Sequence, residues 1–194
     1  SGNYRYLVTV KMYRDCQASD VDFDNEIEIG IYNNNSNRTR VKTFTAPLLT
    51  QFQVTPPSSG VNCPFDDDVC IRQGLYQVMV DVPASTVGYH LVYRRCCRNT
   101  QNNILDEMGQ TYYAYIPNTS INNSSPFFTE VPAPYICRND LTSIYNTAKD
   151  KDGDSLVYEL ATPWAGASAD EPIPVFPFQM PEIPNFEKVL YKNT

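Results

Sequence analysis

In "YRRCCRNTQ", residues 93–101, two adjacent arginines run into two adjacent cysteines, Cys96 and Cys97. Thiols beside cations fit a reactive site, a metal site or a meeting point of two disulfides. A thiol nucleophile needs a base within hydrogen-bond reach. The sole histidine, His90, lies six residues upstream on the same expected strand. Fully extended, that is roughly 20 Å away, so His90 reads as an ordinary strand residue. Zinc favours spacings such as C-x2-C with H-x3-H, and the chain has no C-x-x-C. Disulfides are the favoured reading. The six cysteines are Cys16, Cys63, Cys70, Cys96, Cys97 and Cys137, an even count that suits an oxidising compartment. Cys63 and Cys70 bracket the short loop "PFDDDV" and are expected to pair. Neighbouring strand residues point to opposite faces, so Cys96 and Cys97 should reach different partners. Cys16 and Cys137 are the partners expected for them, and which goes with which stays open.

The second chemistry-bearing stretch is "DKDGDS", residues 150–155. Carboxylates Asp150, Asp152 and Asp154 alternate around Gly153, an arrangement of hard oxygens that suits calcium. The glutamate that closes an EF-hand loop is absent. Asp-Gly is also a plain hairpin-turn dipeptide, and both readings stand at this point. Asp66, Asp67 and Asp68, or Asp20, Asp22 and Asp24, would be additional oxygen donors, though solvated loop charge is the favoured reading for them. Nothing in the sequence sets an acid opposite a nucleophile as a glycosidase requires. No G-x-S-x-G, P-loop or dinucleotide fingerprint is present. Trp164, in "TPWAGAS", reads as a packing residue for a loop, with a partner-facing role as the alternative.

The elements that position these groups follow a period of two. In "YRYLVTVKMY", Tyr4, Tyr6, Val8, Val10 and Met12 share a face, with Arg5, Thr9 and Lys11 on the other. "EIEIGIY" aligns Ile27, Ile29 and Ile31; "LYQVMVDV" aligns Tyr76, Val78, Val80 and Val82. "YHLVYRRCC", "TYYAYI" and "SLVYEL" read as further strands. Turn-rich stretches such as "NNNSN", "TPPSSG" and "NTSINNSSP" separate them, and 15 prolines leave little room for long helices. A short turn around residues 106–108 is the one helical exception expected.

The expected fold class is therefore all-β: a disulfide-stapled antiparallel β-sandwich over residues 1–133. A second, incomplete Ig-like β unit is expected over 134–194, ending in a proline-rich extended C-terminal arm. Net charge is −7 over 194 residues, which argues against nucleic acid as partner. No apolar run approaches a membrane span. The opening Ser1-Gly2-Asn3 carries neither an initiator Met nor a signal peptide, and reads as a processed or excised segment. The natural chain is expected to continue beyond "FEKVLYKNT".

Several stretches together carry a family resemblance: "VKMYRDC", "GYHLVYRRCCRN", "TYYAYIPN", "NSSPFF", "PYICRND" and "DKDGDSLVYEL". From Tyr4 to about Gly166 the chain resembles the N-terminal region of very large secreted surface proteins of Bacteroidota. These are gliding-motility-associated or type IX-secreted proteins with PKD/Ig-like domains. The resemblance implies a non-enzymatic, multidomain architecture at the cell surface, used for adhesion, gliding or filament-like structures, and it supplies no catalytic or ligand residues. The expected partners are neighbouring domains or copies of the same protein, through strand edges or the C-terminal arm. The alternative is a module that recognises surface glycans or proteins. Calcium is the one cofactor expected.

Overall fold

The computed structural model describes residues 2–16, 21–35, 39–54, 70–96, 109–130 and 146–159. Within them the chain is all-β, with no helix. The strands are β1 (Asn3–Asp15), β2 (Glu26–Asn33), β3 (Arg40–Val54), β4 (Ile71–Pro83), β5 (Tyr89–Arg95), β6 (Gln110–Ile116), β7 (Phe127–Phe128) and β8 (Ala148–Lys149). The first six form one curled antiparallel sheet in the order β1-β4-β3-β2-β5-β6.

The curl turns on β3. Its first half pairs with β2, from Glu26↔Pro47 to Tyr32↔Arg40. Its second half pairs with β4, from Leu48↔Tyr76 to Val54↔Ile71, with a register shift between Leu48 and Thr50. A bulge bends a strand and sharpens its twist, so one strand serves two layers: β1-β4-β3 on one side and β3-β2-β5-β6 on the other.

The alternating residues named above fill the space between those layers. Ile27, Ile29 and Ile31 of β2, Tyr76, Val80 and Val82 of β4, Tyr89, Leu91 and Tyr93 of β5 and Met12 of β1 share one buried cluster. Apolar area removed from water stabilises by about 25 cal/mol per Å², and the period-two pattern forbids a one-residue slip that would expose the whole set. β5 is buried on both faces: Val92, with Tyr32 of β2, forms a second small cluster on the reverse side. Gly30 makes room for it, because a Cβ there would lie 2.8 Å from the Tyr32 ring.

Three expectations change. β3 carries no clean alternation and contains Pro47, and the reading by period passed over it. "SLVYEL" was expected as a strand, yet its described part, residues 155–159, is not one, and Val157 is 91% exposed. An alternating stretch becomes a strand only when a partner strand lies beside it, and no described strand does. Instead β8 precedes the acidic loop and pairs with β7, Phe127↔Lys149, a ladder that reaches across the expected boundary at 133/134. Residues 131–145 themselves, Trp164 and the C-terminal arm lie outside the described residues, as does the turn expected at 106–108.

The third change is the disulfide pairing. Cys70 bonds Cys16, not Cys63. The reason is the β1–β4 ladder, which runs through thirteen pairs from Asn3↔Pro83 to Asp15↔Ile71. Cys16 and Cys70 are the next two residues in register, with Cα atoms 5.3 Å apart and the Cys16 N–H donating to the Cys70 carbonyl at 3.0 Å. Cys16 is therefore not a partner of the vicinal pair. Cys96 is also disulfide-bonded, and β5 stops at Arg95, one residue short of it. Cys63, Cys97 and Cys137 lie outside the described residues.

The bridge closes a loop of sequence separation 54, worth about 4 kcal/mol on the chain-entropy account. Replacing Cys16 and Cys70 together by Ser is expected to cost about 3–4 kcal/mol in urea unfolding. Non-reducing peptide mapping of the wild type should recover the Cys16–Cys70 peptide; a Cys63–Cys70 peptide in its place would overturn the pairing.

Candidate functional site

The disulfide anchors a polar lock at one end of the sandwich. Arg14, near the end of β1, reaches back over the following segment. Its guanidinium donates to the Val21 carbonyl, lies 3.6 Å from the Asp22 carboxylate and 5.7 Å from the centre of the Phe23 ring. Phe23 packs onto Gly74 of β4, where an added Cβ would meet the ring at 3.0 Å. Next along, Asp24 pairs with Arg95 at the end of β5. The Tyr76 hydroxyl donates to the Asp24 carbonyl at 2.8 Å. Asp22 and Asp24, read from sequence as solvated charge, are thus the ties between the 21–25 segment and strands β1, β4 and β5.

Burial is the main cause of the high Tyr76 pKa, pushed up to about 12, with the Asp24 charge adding to it. Burial likewise raises Tyr93, whose ring stacks on Tyr112 with centroids 5.6 Å apart. Both phenols are held neutral by desolvation.

On the reverse face of β5, His90 is buried and bonded at both ring nitrogens. Nδ1 lies 2.8 Å from the Tyr113 hydroxyl and Nε2 lies 2.9 Å from Asn34 Oδ1. The Asn34 amide nitrogen donates to the Val87 carbonyl at 2.9 Å and to the Tyr115 hydroxyl at 3.0 Å. Those two donations make Asn34 Oδ1 the acceptor, so Nε2 is the donor in its bond to Asn34. His90 organises a tyrosine pair on β6 and makes no thiol–imidazole pair with the disulfide-bonded Cys96.

In the acidic loop, Asp150 Oδ1 accepts from the backbone N–H of Asp152 at 2.8 Å and of Asp154 at 3.3 Å. Asp152 Oδ2 accepts from the Ser124 N–H at 2.6 Å, and Gly153 adopts the left-handed φ of 82°. These bonds make an Asx-type turn tied back to the segment after β6. Among the described residues no three His, Cys, Asp or Glu side chains form a group that could hold a metal ion. Asp20, Asp66, Asp67 and Asp68 lie outside the described residues.

Some of the exposed apolar groups sit on the six-stranded sheet. Tyr112, Tyr113 and Tyr115 are 37–43% exposed on β6, and Leu7 of β1 stands opposite Met79 of β4, both more than half exposed. Neither the tyrosine pair on His90 nor the Asp24–Arg95 tie was read from the sequence, since their partners are 23 to 71 residues apart. Comparison with protein-family models, curated proteins and solved structures found no match to this chain.

A phenol with a raised folded pKa costs the fold nothing below pH 10, where both states are protonated. Between the unfolded value near 10 and the folded value about 12, only the unfolded state ionises, so stability falls as pH rises. The melting temperature should drop through that window, and Tyr76→Phe should flatten part of the drop; an unchanged slope would remove Tyr76 from the account. In the acidic loop, Asp150→Asn keeps the acceptor and should leave the melt near wild type. Asp150→Ala should cost about 1 kcal/mol. If Asp150→Asn instead abolishes a calcium-dependent rise in the melting temperature, the carboxylate serves a cation rather than the turn.

Proposed function

We propose that this chain is a non-enzymatic structural and adhesive module of a larger surface protein, working outside the cell. The observation that carries the reading is the disulfide chemistry: Cys16 is joined to Cys70, Cys96 is bonded, and no described cysteine is free. Such bonds persist in oxidising compartments. A bridge across the ends of two strands resists unfolding and proteolysis, which suits a part that transmits load or holds a shape. Among the described residues no helix is long and apolar enough to cross a membrane. The resemblance to type IX-secreted, gliding-motility-associated surface proteins of Bacteroidota points the same way. Its partners on this reading are neighbouring domains or further copies, met through strand edges or the C-terminal arm.

A second reading, recognition of surface glycans or proteins, is favoured by the half-exposed Tyr113 and Tyr115 held on one face of β6 by His90 and Asn34. Aromatic faces beside polar groups suit ligands that are apolar on one side and hydroxylated on the other. Calcium belongs to the proposal as a stiffening ligand of the Asp150–Asp154 loop.

The test is surface labelling. An antibody to the folded chain should decorate intact, unpermeabilised cells of the source organism. Signal that appears only after permeabilisation would sink the extracellular reading. On a glycan array the leading reading expects only background; saturable binding lost in Tyr113→Ala with Tyr115→Ala would move the assignment to the recognition module.

A further inference from the structure

The curled sheet does not close. β1 and β6 are its two ends, and they are not hydrogen-bonded to each other. The core-facing residues at both ends are short of cover. Tyr4, Tyr6, Val8 and Val10 of β1 are only partly buried, whereas on the same face of the adjacent β4 only Val78 is, and Tyr76, Val80 and Val82 are at most 1% exposed. On β6, Tyr112 is 37% exposed, while its core-side partner Tyr93 on β5 is buried. One layer holds two strands beyond β3, namely β4 and β1; the other holds three, β2, β5 and β6. Among the described residues no strand stands in the place beside β1, facing β6.

β1 is built to receive one. It is thirteen residues long with no register shift and no proline, although natural sheet edges are commonly kept short, bulged or interrupted. A second copy is a poor occupant. Docked edge to edge at β1, it would bring a second two-layered sheet with it, whose three-strand layer is the longer of the two. A lone extended segment has no such layer, and strand addition of that kind is a common mode of recognition.

The sequence of the C-terminal arm fits the place. In residues 171–176, EPIPVF, Pro172 and Pro174 alternate with Ile173 and Val175. In a strand, successive N–H groups point to opposite edges. If Ile173 and Val175 face β1, the prolines face solvent, where a missing N–H costs no ladder bond. Charge agrees as well. Asp170, Glu171 and Glu182 flank the stretch with no Lys or Arg between them, while β1 carries Lys11 beside Arg5 and Arg14, which also pair with Asp81 and Asp22. We propose that residues 171–176 add to the free edge of β1 as the missing strand. The proposal rests on the reading of the chain as an interaction module and names the edge and the segment that interact.

The experiment is residue-resolved amide exchange on the full 194-residue chain, compared with the variant Ile173→Pro with Val175→Pro. That variant removes both N–H groups aimed at β1 and leaves the described strands untouched. In the wild type, the alternate β1 amides that β4 does not engage should exchange at least about tenfold more slowly than free-edge amides. The variant should restore fast exchange there and nowhere in β4. A concentration-dependent slowing that the variant abolishes assigns the strand to a neighbour's arm; a concentration-independent one assigns it to the chain's own arm. Fast exchange at those amides in the wild type overturns the proposal. Slowing that survives in the variant also overturns it, giving the place to a second copy if it grows with concentration and to another segment if it does not. Surface labelling reads location alone, so the functional reading and this strand can each fail without the other.

Discussion

The β1–β4 ladder is the constraint on which the rest of the molecule depends. It brings together two stretches separated by more than fifty residues, and everything between them must fold back within the loop it closes. Such a non-local contact carries a large closure cost before it returns any energy. The Cys16–Cys70 bridge removes much of that cost by holding the ends together in the unfolded chain. Once the ladder is set, β4 offers its second edge to β3, and β3 carries the sheet around to β2, β5 and β6.

At the same end of the sandwich, charge and aromatic groups reinforce the staple. Arg14, Phe23, Asp24, Tyr76 and Arg95 tie the segment after the bridge across three strands. Exposed ion pairs contribute little by themselves. Here Asp24 uses its carboxylate on Arg95 and its carbonyl on a buried phenol, so breaking one tie loosens the other. The Arg5–Asp81 pair near the far end of the ladder is bidentate but solvent-exposed, and its role is closer to marking register than to supplying stability.

Much of the architecture was legible in the sequence because burial on one face of a strand leaves a period of two. β1, β2, β4, β5 and β6 were all read that way. β3 was not, because a bulge shifts its phase and Pro47 interrupts it, although this is the strand that joins the layers. "SLVYEL" shows the opposite failure, an alternation whose described part, residues 155–159, has no described strand beside it. The Cys63–Cys70 expectation failed because nearness in sequence was allowed to outweigh strand register. The His90 network and the Asp24 ties depend on residues that only the fold brings together. Residues 150–155 were read as a hairpin turn from Asp-Gly; a turn is there, but its described continuation, residues 155–159, is not a strand, and the Asp150 side chain organises it by accepting from the N–H groups that follow.

The position of the bridge also determines how the domain carries tension. A pull on the N-terminus would peel β1 from β4 pair by pair, beginning at Asn3 and Pro83. It would then meet a covalent stop at Cys16, after releasing about 50 Å of chain. From there the force passes straight across the sulfur bridge into β4. The covalent loop between the two cysteines, which carries β2 and β3, lies outside that covalent path, so its chain cannot be drawn out while the bridge holds and the first extension is a bounded step.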